Sequence, residues 1–117
     1  MIIAQRKLIA RIDADEKEVM INIFLPEQND GVWGCNIEIN WPDGQYKSIT
    51  YGSDSAQALD LAFQNVGSLL YFSDYHNSGN LRWGDSYKGY GFPVPKNARD
   101  LLFGDDARFY GLDDAVS

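Results

Sequence analysis

The stretch Tyr51-Gly52-Ser53-Asp54-Ser55-Ala56-Gln57-Ala58-Leu59 constrains the fold of this chain more than any other. It reads as the end of a strand, a tight turn and the start of a capped helix. Asp54 is a good N-cap, because its carboxylate accepts from the free amides of the first helical turn. Gln57 stands three residues on, at the capping-box spacing. Leu59, Ala62, Phe63, Val66, Leu69 and Leu70 follow largely at helical intervals and make one apolar stripe, with Gln57, Asp60, Gln64 and Ser68 on the opposite side. Leu61 and Gly67 interrupt the pattern mildly. The spacing predicts a helix ending near Phe72, and a helix with a single apolar stripe needs a sheet to bury it.

The sheet is written upstream. Residues 2–13 alternate in part, with Arg6, Leu8, Ala10 and Ile12 on one parity. After the polar turn Asp13-Ala14-Asp15-Glu16-Lys17, alternation resumes from Glu18 to Leu25, with Val19, Ile21, Ile23 and Leu25 on one side. Period two marks half-buried strands, and the two runs predict a hairpin. Pro26 ends the second run because proline cannot donate to a ladder, and residues 26–31 read as a loop. Residues 32–41 form the clearest strand: Trp33, Cys35, Ile37 and Ile39 alternate with Gly34, Asn36, Glu38 and Asn40, as in an antiparallel sheet covered on one face. Trp41-Pro42-Asp43-Gly44 is a turn, and residues 45–51, rich in β-formers, return from it.

Past the helix, residues 73–80 read as an exposed loop, Leu81-Arg82-Trp83 as a short strand, residues 84–95 as irregular and residues 96–103 as a short helix. The expected fold is an α+β domain: a four-stranded, mostly antiparallel meander, one long helix packed on one face, and an irregular aromatic-rich C-terminal third. One domain accounts for the 117 residues, over 1–104, with 105–117 as an acidic, partly ordered tail that has little to bury.

Charge narrows the partner. The chain carries 17 acidic and 10 basic side chains, a net charge of -7, which repels a phosphate backbone and argues against nucleic acid. The excess is uneven: residues 26–60 sum to -5, residues 61–99 to +2 and residues 100–117 to -4. No run approaches the ~18 apolar residues a membrane helix requires, so no membrane partner is expected. The single cysteine, Cys35, has no intramolecular partner for a disulfide, and the N-terminus lacks the apolar run of a signal peptide. Both suit the cytoplasm.

Little in the chain carries chemistry. A zinc site needs three or four ligands of the Cys and His type, and this sequence has one of each. Every histidine-dependent nucleophilic arrangement must use His76, which reads as solvated in a polar loop beside Asp74 and Asn77. Cys35 alternates with Trp33 and Ile37 and reads as a small core hydrophobe. Asp105-Asp106 and Asp113-Asp114 are adjacent acids expected to be solvated. Asp13-Ala14-Asp15-Glu16 opens loosely like a calcium loop, but the glycine and glutamate needed downstream are missing. Gly84, Gly89 and Gly91 precede neither a Lys-Ser/Thr pair nor a helical run, so they make no phosphate loop. No catalytic residue, cofactor or metal is expected.

Rings are a stronger signal. Tyr71, Phe72, Tyr75, Trp83, Tyr87, Tyr90 and Phe92 fall within 22 residues, among Arg82 and Lys88. Tyrosine, tryptophan and arginine supply much of the energy at protein interfaces. Trp83 and Phe92 are expected to turn inward, and Tyr75, Tyr87 and Tyr90 outward. The residues expected to contact a protein are Tyr75, Arg82, Trp83, Tyr87, Tyr90, Asp105 and Asp106.

Gly52-Ser53-Asp54-Ser55-Ala56-Gln57-Ala58-Leu59, the apolar helix after it and the later Gly91-Phe92-Pro93 resemble a family of small uncharacterised bacterial proteins, a domain of unknown function, over roughly residues 5–95. The resemblance implies the several-stranded fold and a bacterial origin. It brings no activity, because the matching residues are those of the turn and the cap.

The leading expectation is a non-enzymatic acidic interaction domain, such as an immunity-type inhibitor of a basic toxin. Electrostatic steering would speed capture and desolvated rings would hold it. A small-ligand-binding protein or hydrolase-like enzyme is the alternative, with a site near residues 73–92 using Asp74, His76, Asp85 and Tyr87. A third reading is a structural homo-oligomer subunit that pairs with itself through an exposed strand edge, so the chain is expected as a monomer or a homodimer.

Overall fold

The computed structural model describes residues 1–111. Strands β1 (Ile2–Ile12) and β2 (Asp15–Phe24) form the expected hairpin, closed by Asp13-Ala14 with Asp13 at φ 56°, a left-handed conformation that aspartate tolerates. β4 (Val32–Trp41) and β5 (Gly44–Gly52) form the second hairpin. With a short strand β6 (Leu81–Arg82) at one edge, the order across the sheet is β6-β1-β2-β4-β5, every pairing antiparallel.

Among the described residues the sheet has six strands rather than the expected four. One addition lies where residues 26–31 read as a loop. β3 (Glu27–Asn29) pairs with the first residues of β4, and the register slips by one residue across Leu25-Pro26. Proline breaks the ladder without ending the strand's course. Asp30-Gly31 then closes a tight hairpin with both residues left-handed, φ 54° and 81°, the geometry for which Asp-Gly is a strong signal. The other addition, β6 (Leu81–Arg82), matches the short strand read at residues 81–83 and pairs with Ile9 and Ala10 of β1.

Helix α1 (Ser55–Tyr71) starts as its sequence requires: the Gln57 amide donates to Asp54 Oδ1 at 2.8 Å, and Gln57 Oε1 accepts from the Ser53 amide at 2.7 Å. Ala58, Ala62, Val66 and Leu70 face Leu8, Ala10, Val19, Ile21, Ile23, Cys35, Ile37 and Ile39 in the core. Leu59, Phe63 and Leu69 of the expected stripe pack at its margins. Gly67 interrupts the stripe for a reason: a Cβ there would lie 1.9 Å from the Pro93 carbonyl oxygen, where the C-terminal third crosses the helix.

The outer face of the sheet carries a polar ladder. Gln5, Asn22, Glu38 and Lys47 lie in register on four strands. Gln5 donates to Asn22 at 2.8 Å, Asn22 donates to Glu38 at 3.2 Å, and Lys47 pairs with Glu38 at 3.9 Å. The bonds on both sides are what make a buried Asn22 tolerable.

Residues 73–80 hold a short helix, α2 (Asp74–Asn77), capped by Ser73, where an exposed loop was expected. A 3-10 turn spans Lys96–Leu101. The expected tail divides: α3 (Gly104–Tyr110) is helical and packed on the body through Asp106, Ala107 and Tyr110, while residues 112–117 lie outside the described residues. Among the described residues no helix is long and apolar enough to cross a membrane.

Candidate functional site

The irregular C-terminal third is ordered by two charges on opposite sides of one stretch of backbone. Arg6 shares the parity of Leu8 and Ala10 and therefore points to the helix side of β1, beyond the reach of β6. Its guanidinium lies 3.7 Å from the Trp83 ring centre and donates to the carbonyls of Tyr90 at 3.3 Å and Gly91 at 2.8 Å. The amides of the same two residues donate to Asp106, Tyr90 to Oδ2 at 2.7 Å and Gly91 to Oδ1 at 2.8 Å. Cation and anion thus hold the Tyr90-Gly91 backbone from its two edges. Gly91 is required there, since its φ is +73° and a Cβ would lie 2.3 Å from the Trp83 ring.

Asp106 has no exposed surface, contrary to the expectation of a solvated acid. Besides the two amides it accepts from Tyr71 Oη at 2.5 Å and Tyr87 Oη at 2.8 Å. A carboxylate offers about four lone-pair positions, and these four donors fill them. Burial, reinforced by Asp106, pushes the Tyr71 and Tyr87 phenols up, so both stay protonated as donors. Asp105 holds the other side of the same loop, accepting from the Lys88 amide at 2.7 Å.

This accounts for much of the expected contact set. Tyr90, read as outward, is 1 % exposed, its ring against Tyr71 and its hydroxyl 2.5 Å from His76 Nδ1. Tyr90 and Asp106 are therefore out of reach of a partner. Phe92 turns inward as expected, and Trp83 is half-buried beneath Arg6. Tyr87 is half-buried on Asp106, and Arg82 forms a two-point pair with Glu16 at 2.9 and 3.2 Å.

Two surfaces remain as candidates. A cleft of about 330 Å³ is lined by His76, Arg82, Asp85, Tyr87, Lys88 and Phe103. It gathers three of the four residues expected of an enzyme site. Asp74, the fourth, lines a different cleft. His76 is packed rather than simply solvated: its ring meets Tyr71, Tyr90 and Phe103, and burial lowers its pKa. Burial keeps the Tyr90 phenol protonated, and its hydroxyl shares a hydrogen bond with His76 Nδ1 whose donor is set by the imidazole tautomer.

The second surface lies at the turn end of the sheet. Asp13 from the β1–β2 turn, Asp43 from the β4–β5 turn and Asp74 from the start of α2 line a cleft of about 430 Å³ with Arg11 and Tyr75. Tyr75 stacks on Trp41 at 5.2 Å between ring centres, the planes 9° apart, and donates to Asp43 at 3.1 Å. Tyr75 alone of the expected set lines this cleft. In the sequence Trp41, Asp43 and Asp13 are turn residues, and only the convergence of two hairpin ends with α2 makes them neighbours. Among the described residues no group of three or more His, Cys, Asp or Glu is placed to hold a metal ion.

A family described as a domain of unknown function, DUF6968, matches residues 4–94, and the chain belongs to it. The match begins within β1, takes in Arg6, the remaining described strands, α1 and α2, and ends before α3. No curated protein and no solved structure matches the chain.

Proposed function

We propose that this member of the DUF6968 family is a non-enzymatic interaction domain that captures a basic protein, in the manner of a cytoplasmic immunity protein acting on a basic toxin. The observation that carries this reading is the acid-rimmed ring pair at the turn end: Trp41 stacked on Tyr75, with Asp13, Asp43 and Asp74 around them. Rings give a contact area at low entropic cost, and three carboxylates on a chain of net charge -7 give long-range attraction. The saturated Asp106 supports the same reading from the other side. A buried carboxylate whose lone pairs are all engaged has none left for acid–base work.

The first test is whether a basic toxin domain is encoded beside this chain; its absence counts against the reading, and its presence supplies the partner for stopped-flow association. The rate should fall roughly tenfold or more between low and high salt, and Trp41→Ala should speed dissociation. An association rate indifferent to salt removes the steering argument.

A second reading, a small-ligand or enzyme site, is favoured by the cleft that brings His76, Asp85 and Tyr87 together. Turnover of a small metabolite by the pure protein, abolished by His76→Gln, would put this reading ahead of the first.

A further inference from the structure

β5 is the outermost strand on its side of the sheet: among the described residues it pairs with β4 and with no other strand. Its register against β4 runs unbroken from Gly52 opposite Trp33 to Gly44 opposite Trp41. Nine residues of regular backbone therefore turn one row of amides and carbonyls outward. Folded proteins blunt such an edge with proline, a bulge, a very short strand or charge. β5 has none of the first three, and its single charge is Lys47. Tyr46 is 41 %, Ile49 38 % and Tyr51 61 % exposed. α1 leaves a groove of about 420 Å³ along this edge, lined by Thr50, Tyr51, Leu61, Gln64 and Pro95.

We propose that the occupant of this edge is β5 of a second copy, antiparallel, about a two-fold axis at Ile49 perpendicular to the sheet. Such an axis keeps every side chain on its own face. On the outer face it sets Ile49 against the partner's Ile49, and Lys47 against the partner's Tyr51. On the helix face it sets Ser48 against the partner's Thr50, and Tyr46 across the partner's Gly52. Three of the pairs are favourable: two aliphatic chains at the axis, an ammonium beside a phenol ring, and two hydroxyls; Tyr46 lies beside the start of α1, which already covers Gly52. Neighbouring registers lose this. An axis at Ser48 opposes Lys47 to isoleucine, an axis at Lys47 brings the two ammonium groups face to face, which is unfavourable, and an axis at Thr50 leaves only residues 48–52 of each strand to pair. The self-complementarity of one register is what selects a copy of this chain over an unrelated strand, and the two six-stranded sheets become continuous across the axis. The proposal does not rest on the acidic surface described above.

Sedimentation of the whole protein at micromolar to submillimolar concentration tests it. The wild type should run at twice the protomer mass. Ile49→Lys and Ile49→Glu, each checked as folded by circular dichroism, should each run at half that mass, and a one-to-one mixture of the two should regain the dimer, because position 49 meets only itself. Under oxidising conditions Ile49→Cys should cross-link and Lys47→Cys should not. A wild type that stays monomeric over this range overturns the proposal. So does a dimer that both Ile49 charges leave intact, or a cross-link at position 47 in place of 49.

Discussion

Four donors converge on Asp106, and two of them come from the backbone that Arg6 holds from its other edge. Removing the acceptor leaves two phenols and two amides buried without partners, each worth about 1–3 kcal/mol if nothing replaces it. Asp106→Ala should therefore lower the unfolding free energy by about 3–5 kcal/mol in urea denaturation, in the range seen for broken buried pairs. A loss below about 1 kcal/mol would mean that water or a repacked loop takes over the four donors. His76 offers a second test. Burial lowers its folded pKa below the unfolded value of about 6.5, so the unfolded chain takes up the proton first. The stabilising contribution of the neutral ring is complete above that value and is lost as the pH falls from it towards the folded pKa. Urea midpoints should decline over this window in the wild type and less so in His76→Gln, and identical profiles would remove His76 as the cause.

At the scale of elements, α1 is the piece whose sequence and structure agree most closely. Its N-terminal cap is local chemistry, and Asp54→Ala should cost about 1 kcal/mol in thermal or urea unfolding. Gly67 is the opposite case. On an isolated helix, alanine would be favoured over glycine by about 1 kcal/mol. Here a Cβ meets the Pro93 carbonyl at 1.9 Å, and backbone in a packed crossing yields poorly. Overpacking of that kind costs about 1–3 kcal/mol, occasionally more, so Gly67→Ala should come out about 2 kcal/mol less stable. A gain in stability would show that the crossing segment shifts freely.

For the molecule as a whole, the net charge of -7 matters through its distribution. Asp13, Asp43 and Asp74 reach the same cleft from three separate elements, and only Asp13 belongs to an acidic stretch of the sequence. Replacing all three with asparagine should slow association with a basic partner roughly tenfold at low salt and leave the dissociation rate within about threefold. The melting temperature should hardly change, because exposed charges contribute little to stability. An unaltered association rate at low salt would point to another surface.

What this sequence determined by itself is whatever depends on neighbours along the chain. Alternation wrote the strands and the buried identity of Cys35, Ile37 and Ile39. Spacing and capping wrote α1 from Asp54 to Phe72. Asp30-Gly31 is hairpin chemistry as well, masked in the sequence by Pro26 four residues earlier, which ends the alternation of the second strand. The C-terminal third was illegible for a physical reason: it has no period, because its order comes from contacts between residues some 15 to 85 positions apart. Arg6 reads as an ordinary strand cation and Asp106 as an ordinary surface acid until the fold sets one on each edge of the Tyr90-Gly91 backbone. Only tertiary structure decided that, since burial reverses the usual preference of a carboxylate for water once four donors are already in place to receive it.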